Sequence, residues 1–506
     1  MHRARMYCFG LKEFSKSIIK MNKHEKQIKQ RIVHLDLKGA PPKMQYLLRI
    51  IPLMRQWGAT GILVEYEDTF PFKDELSYIA KEQCYSSEDI KSLQDVSKTE
   101  GMEFIPLIQT FGHMEYVLKH KECAHLRELK ENPMSICPKN EDSLPLIKSL
   151  IDQIMAEHED LKYLHIGGDE VFCFCQCKAC VEACKTISKE RLYTNHMISI
   201  INYISTKWPA LQILIWDDMF REFSICELEE LSGNGSIVIP VVWSYVGNLN
   251  DVFPNGMFER FGEAFEEIWI ASSFKGSAGP SCDWTPMPHY INNHLSWLSL
   301  INQLPKETKK KVKAIMVTGW SRYDHYATLC ELLPAALPCL AMCLAVLKEG
   351  LFNKSIHEKV SRNLGYLQCF QLEYKPFMQL DSNCGNFPGS EIITYVTHLE
   401  HAKHHLKMAE ERKESWMDTW HIEVKKDVNI CHIEFACTML NSALQIYEGI
   451  RSPLQECLSF HFDSDTVEEF IVVKVNSQVK KILDLLSLMR SIKQMCCKNF
   501  VADDQT

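Results

Sequence analysis

Eight short apolar runs, most of them rich in β-branched residues, recur from residue 31 onward. Each is bounded by Gly, Pro or polar residues and is separated from the next by a stretch with helical periodicity. The runs are IVHLDL (32–37), GILVEY (61–66), EFIPLIQ (103–109), YLHIGG (163–168), QILIWD (212–217), IVIPVVW (237–243), IWIASSF (268–274) and AIMVTGW (314–320). This alternation predicts a parallel α/β fold. Eight strands with crossovers, spread over about 320 residues, fit a closed (β/α)8 TIM barrel better than an open doubly wound sheet of about five to seven strands. The crossover helices are read at KMQYLLRIIPLMRQWG, SSEDIKSLQDVSKTEG (with Ser86 or Ser87 as N-cap), SLPLIKSLIDQIMAEHED, SKERLYTNHMISIINYISTKW, FERFGEAFEE and MPHYINNHLSWLSLINQL. The weakest is the fifth, where CELEELSG offers barely two turns.

Beyond residue 350 the strand signal stops, and amphipathic segments of 20 or so residues take over, as in SEIITYVTHLEHAKHHLKMAEERKESW and VEEFIVVKVNSQVKKILDLLSLMRSI. The chain therefore divides into a basic N-terminal extension (1–30), a (β/α)8 barrel (31–350) and a helical C-terminal region (351–506). A coiled-coil dimerisation arm is the alternative for the tail, although strict heptads do not persist over three or four repeats as such an arm needs. The most apolar run, LLPAALPCLAMCLAVL, is shorter than the roughly 20 residues of a membrane span. It contains Pro334 and Pro338 and reads as a helix buried on the core.

Composition narrows the functional classes. A net charge of −9 argues against a dedicated nucleic-acid binder, which usually carries a clustered basic face. Neither a GxxxxGK[ST] loop nor a GxGxxG fingerprint is present, so no nucleotide cofactor is expected. The 21 cysteines are an odd number and cannot all pair within the chain. The first 30 residues break every apolar run with Lys, Arg or Glu, so no signal peptide is read, and a cytoplasmic or nuclear protein with reduced thiols is expected. An organelle transit segment is the alternative reading of that stretch. The sequons at Asn234 and Asn353 are then incidental.

In such a barrel, chemistry belongs at the C-terminal ends of the strands. Those ends carry Asp36 and Lys38; Glu65, Tyr66, Glu67 and Asp68; His113; Asp169 and Glu170; Trp216, Asp217 and Asp218; Trp243 and Tyr245; Lys275; and Trp320, Tyr323 and Asp324. Carboxylates and aromatics dominate, as in a sugar site, where aromatic faces stack on a pyranose and carboxylates bind its hydroxyls. The most specific motif is HIGGDE (165–170). Its glycines let the backbone turn sharply out of the strand and present two adjacent acids at the barrel mouth. With Cα atoms about 3.8 Å apart, such acids raise at least one carboxyl pKa, so that one can stay protonated and act as a general acid. An isolated Asp-Glu pair is ordinarily a solvated turn; exit from a buried strand through Gly-Gly favours the functional reading.

HIGGDE resembles the signature of glycoside hydrolase family 20, the β-N-acetylhexosaminidases. The resemblance extends to FGH (111–113), IWDDMF (215–220), VVWSY (241–245) and the Gly319-Trp320 pair, and covers about residues 31–350 well and the tail only loosely. It implies a glycan or glycoconjugate substrate with a terminal β-linked N-acetylhexosamine, and a reaction in which the substrate's own 2-acetamido carbonyl is the nucleophile, an exception to two-carboxylate glycoside hydrolysis. By motif position, Glu170 would be the general acid/base and Asp169 would orient the acetamido group. Trp216, Trp243 and Trp320 resemble the aromatic walls around the sugar, and His113 resembles a histidine reaching its hydroxyls. Plain core packing stays open for Trp216, as does a satisfied loop position for His113. Asp217 and Asp36 are further candidates for hydroxyl contacts. One departure stands out: where the family has a tyrosine near the end of the seventh strand, this chain reads SSFKG. Tyr245 is the preferred replacement, with Tyr323 the alternative.

No metal is expected to take part in catalysis. The cluster CFCQCKACVEAC, with Cys173, Cys175, Cys177, Cys180 and Cys184, leaves three readings open: a structural zinc held by Cys175, Cys177 and Cys180, a set of reduced thiols, or a redox-sensitive pair. Two further readings of the whole chain remain, a catalytically weak or inactive barrel that binds N-acetylhexosamine and a zinc-organised interaction scaffold.

Overall fold

The computed structural model describes residues 28–233, 237–376 and 385–503. The N-terminal extension, apart from residues 28–30, and the sequon at Asn234 lie outside the described residues. Ten strands occur in chain order: β1 (Gln30–Asp36), β2 (Gly61–Glu65), β3 (Glu103–Leu107), β4 (Arg127–Leu129), β5 (Asn132–Ile136), β6 (Tyr163–His165), β7 (Gln212–Trp216), β8 (Val238–Trp243), β9 (Ile268–Lys275) and β10 (Val312–Gly319). Eight of them close a parallel barrel in sequential order, and β1 pairs with β10 along Gln30–Ala314 to Val33–Val317 to complete the ring. The remaining two, β4 and β5, form an antiparallel hairpin inside the connection from β3 to β6. The periodicity did not mark it: NPMSI and REL lack alternation, and Pro133 breaks the only plausible strand run.

The strands alternate strictly between two cores, as a period of two requires. Ile213 and Ile215 of β7 face the helical shell, whereas Leu214 and Trp216 face the barrel interior together with Ile32, Leu63, Ile105, Ile239, Val241, Trp269, Ala271, Ala314 and Met316. Trp243 and Trp320 pack against the top of that interior layer. The helices follow the expected segments. Ser86 caps Ser87–Thr99 through a reciprocal capping box with Asp89. The short fifth crossover forms a helix over Ile225–Ser232, with a second capping box from Ser224 to Glu227. The apolar run at 332–347 forms the buried helix Leu333–Glu349. Asn353 is a helix N-cap, accepting a hydrogen bond from the Ile356 N–H. Among the described residues, no helix is long and apolar enough to cross a membrane.

The C-terminal helices Glu391–Trp416, Ile430–His461 and Ser477–Asp503 share a core of their own, centred on Leu399, Leu406, Leu440, Tyr447 and Leu454. That core reaches the barrel at Ala40, Leu329 and Leu332, on the loops after β1 and β10. Polar contacts reinforce the junction. The Lys43 N–H donates to the His461 carbonyl at 2.7 Å, Lys81 pairs with Asp463 at 2.8 Å, and Arg322 pairs with Glu469 at 2.6 Å. Asp283 is buried between Lys474, at 2.7 Å, and Lys403.

Removing the shared anion strands two partly desolvated ammonium groups. Asp283→Asn is expected to cost about 3 to 5 kcal/mol in urea unfolding, whereas Lys354→Ala, which breaks an exposed pair with Glu358, should change stability by less than about 0.5 kcal/mol.

Candidate active site

The turn after β6 is shaped by hydrogen bonds to its backbone. Gly167 and Gly168 take φ of +66° and +88°, values that side chains resist, and the Gly167 N–H donates to His165 Nδ1 at 3.0 Å. Burial pushes the His165 pKa down to about 3, which keeps the ring neutral and that nitrogen an acceptor. The Gly167 carbonyl accepts from the Trp216 N–H at 3.1 Å, and the Gly168 carbonyl accepts from the Tyr193 hydroxyl at 3.0 Å. Two residues later, Glu170 itself has φ +47°, a strained value for a residue with a Cβ. Its N–H donates to Asp218 Oδ2 at 2.9 Å, which fixes the direction in which the acid leaves the turn.

Asp169, Glu170 and His113 meet at one point. His113 Nε2 lies 3.5 Å from Asp169 Oδ2 and 3.4 Å from Glu170 Oε2, and all three side chains are about nine-tenths buried. His113 is carried by a tight approach: a Cβ on Gly112 would collide with the Asp169 carbonyl oxygen, and His113 adopts φ +52°. Burial works against its charge, but Asp169 and Glu170 outweigh it and hold the imidazolium pKa up to about 10. The Asp169 carboxyl is raised as well: burial, with Asp218 and Glu170 adding to it and His113 opposing, lifts it to about 7. Its second oxygen, Oδ1, is buried and has no hydrogen-bond partner among the described residues. A buried acceptor without a partner is one that a ligand N–H can satisfy.

Aromatic rings form the wall. Trp243 stacks on Tyr245 with centroids 5.2 Å apart and 26° between planes, and Tyr245 meets the edge of Trp320 at 6.4 Å. Trp320 in turn touches Trp216 at 6.2 Å and His34 at 4.6 Å. Trp216 is almost fully buried in the barrel interior, with no partner for Nε1 among the described residues, and so forms the floor rather than a side of the cleft. Burial raises the Tyr245 phenol well above its usual value, against the opposing effect of hydrogen bonds with Thr318 and Trp320, and the negative charge of Asp169 and Glu170 adds to the rise, so the hydroxyl stays protonated. Tyr323 lies elsewhere: its hydroxyl accepts the Gly279 N–H at 3.0 Å. The end of β9 is occupied by Lys275, whose ammonium donates to the Trp320 carbonyl at 2.7 Å.

Two expected hydroxyl binders are committed to the protein. Asp217 is fully buried and held by Arg221, with Nε at 2.6 Å and Nη2 at 2.9 Å, while also accepting the Trp243 N–H. The residue facing the site is its neighbour Asp218, which accepts Trp243 Nε1 at 3.0 Å as well as the Glu170 N–H. Strand alternation carried one step beyond Leu214 and Trp216 points to Asp218, so the signal was present in the sequence. Asp36 is likewise engaged, accepting from Lys38 Nζ at 3.1 Å and from the Ser321 N–H at 2.8 Å, and thereby joins the loops after β1 and β10. An acidic group that was not singled out lies beside it. Glu67 and Asp68 both meet His325, each at 3.1 Å, and Asp68 also pairs with Lys119 at 2.7 Å. Burial raises Glu67 to about 7.

Two adjacent buried acids around one imidazole, with indole rings packed at the top of the barrel interior, are accompanied by clear relatives. Residues 48–250 match the glycosyl hydrolase family 20 catalytic domain. The chain is 36% identical to hexosaminidase D of Homo sapiens over 470 residues, covering 90% of this chain and 93% of that protein. The chain belongs to glycoside hydrolase family 20. Hexosaminidase D of Bos taurus is 39% identical over 350 residues, covering 68% of this chain and 99% of that protein. Among solved structures, a β-N-acetylhexosaminidase from Bacteroides fragilis is similar at 14% identity, with a TM-score of 0.46 over 64% of this chain and 66% of that one. Membership of family 20 makes the protein a glycoside hydrolase, with a glycan as its substrate class.

The raised carboxyl of Asp169 has a consequence for stability. A carboxyl that ionises near 3.8 when unfolded and near 7 when folded stabilises the fold only below about 3.8, and that contribution is lost as pH rises through about 7. Asp169→Asn, which mimics the protonated form, is expected to be more stable than the wild type at pH 8 by roughly 2 to 4 kcal/mol. The difference should vanish near pH 3.5, as denaturant titrations at the two pH values would show.

Proposed function

We propose that the protein is a retaining exo-β-N-acetylhexosaminidase that releases terminal non-reducing GlcNAc or GalNAc by substrate-assisted catalysis. The observation that carries this reading is the buried Oδ1 of Asp169, without a hydrogen-bond partner among the described residues, beside Glu170 and close enough to the Trp243, Tyr245 and Trp320 cluster for both acids to act on the Tyr245 phenol. In the mechanism, Glu170 protonates the glycosidic oxygen while the acetamido carbonyl oxygen of the bound sugar attacks the anomeric carbon. The leaving group departs as an alcohol and an oxazolinium ion forms. Asp169 accepts the acetamido N–H through Oδ1, aligning the nucleophile and stabilising the positive charge that develops on it. Glu170, now a carboxylate, takes a proton from the incoming water, which opens the intermediate from the face the leaving group vacated, so configuration is retained. Asp169 needs no place beneath the anomeric carbon, because the substrate brings its own nucleophile; this is the chemical reason adjacent acids serve.

Within this reading, Tyr245 donates to the acetamido oxygen in place of a tyrosine after β9, and Trp216 supports the sugar from below. Asp218 acts as a positioning residue through the Glu170 N–H, and His113 keeps the two acids from repelling one another apart. The catalytic unit spans 31–350, with 351–506 as an attached helical region. The relatives named hexosaminidase D support the activity.

Aryl β-GlcNAc and β-GalNAc glycosides test the proposal. Release by the wild type should fall by about 10²- to 10⁴-fold in Glu170→Gln, and a matched aryl β-glucoside without the acetamido group should be nearly inert. Binding of the sugar without any release, or undiminished release by Glu170→Gln, would reject the enzyme reading. Tyr245→Phe should lower kcat by about 10²-fold on acetamido substrates, and an unchanged kcat would remove Tyr245 from that role.

A further inference from the structure

The cysteine-rich segment after Glu170 meets the hairpin β4–β5 at its base. Cys137, immediately beyond β5, places its Sγ 3.5 Å from Cys177 Sγ and 3.6 Å from Cys180 Sγ. Glu128, in the middle of β4, presents Oε2 to Cys180 Sγ at 3.2 Å. These four ligand atoms lie within 4.8 Å of one another, and three of the four residues are buried. A tetrahedral zinc with Zn–S bonds of about 2.3 Å would set its sulfurs about 3.8 Å apart, so little movement is required.

The surroundings fit the same reading. Glu128 Oε1 accepts the backbone N–H groups of Gln176 and Cys177, at 2.6 and 3.0 Å, which orients the carboxylate and leaves Oε2 turned toward the thiols. Cys177 Sγ accepts the Cys180 N–H at 3.3 Å, a bond that favours a thiolate. The other cysteines of the segment are engaged elsewhere. Cys175 is joined to Cys184 by a disulfide, and Cys173 accepts from Asn132 Nδ2 at 3.3 Å. The sequence-based ligand set of Cys175, Cys177 and Cys180 is therefore corrected. Cys175 leaves it for Cys184, which also departs from the expectation that every thiol is reduced. Cys137 and Glu128 join from about 40 residues upstream, brought in by the hairpin.

We propose that Glu128, Cys137, Cys177 and Cys180 form a structural zinc site. The metal would tie the segment that leaves Glu170 to the hairpin, and the hairpin is bonded to the loop that carries His113: the Met114 N–H donates to the Met134 carbonyl at 2.9 Å and the Ile136 N–H to the Phe111 carbonyl at 3.2 Å. The two loops that meet where His113 faces Asp169 and Glu170 are thus clamped together from behind. Zinc binding displaces the thiol protons and supplies no chemistry to the sugar.

Metal analysis of the full-length protein, purified without chelator and under mild reduction, tests this whatever the protein's activity. About one zinc per chain is expected, retained in Cys173→Ser and lost in the double variant Cys177→Ser, Cys180→Ser. Reconstitution of the wild type with cobalt(II) should give the thiolate charge-transfer and tetrahedral d–d bands, which decides the matter even if the double variant does not fold. Folded wild type that neither contains zinc nor develops those bands with cobalt overturns the proposal, as does a folded double variant with undiminished zinc.

Discussion

Two carboxyl groups on consecutive residues, held out of water a few ångströms from a single imidazolium, set the terms for the rest of this molecule. Their repulsion would push Asp169 and Glu170 apart or leave one of them protonated were it not for His113, placed at 3.5 and 3.4 Å by a loop that needs Gly112 to come so close. The same demand explains why the backbone at Glu170 is strained. Only a turn through Gly167 and Gly168 into a positive φ at Glu170 aims both side chains into one cleft, and neutral His165, Tyr193 and Asp218 hold that turn in place. The stability given up in burying an unmatched acid is a property of the site and not a defect of packing.

The aromatic wall is the barrel core continued upward. Leu214 and Trp216, then Ile239, Val241 and Trp243, share one face of their strands, and the next inward positions are Asp218 and Tyr245. A single alternation therefore supplies hydrophobic filling below and the polar and aromatic groups of the candidate site above, so that site inherits the rigidity of the interior beneath it.

Much of this could be read in the residues before any coordinates. The eight apolar runs map onto the eight barrel strands, and the Gly-Gly exit marked the two acids, because both features are local and periodic. What could not be read depends on partners distant in sequence. Asp217 and Asp36 look as available as any strand-end acid, yet Arg221, Lys38 and the Ser321 N–H claim them. The choice between Tyr245 and Tyr323 likewise turns on the path of a loop, with Tyr323 turned to Gly279. The hairpin β4–β5 escaped notice because its short strands carry little apolar alternation, and with it went the link between Glu128, Cys137 and the later cysteines.

The helical tail grips the barrel where the ring closes. Lys43, Lys81, Asp283 and Arg322, around the loops on either side of the β1–β10 seam, find their partners between residues 403 and 474. A chain emerging from the ribosome would complete its eight strands with these groups still facing solvent, and the loops beside the seam would gain these partners only when roughly the last hundred residues arrived. The order of synthesis thus makes the contacts on this side of the barrel mouth among the last that the molecule can form.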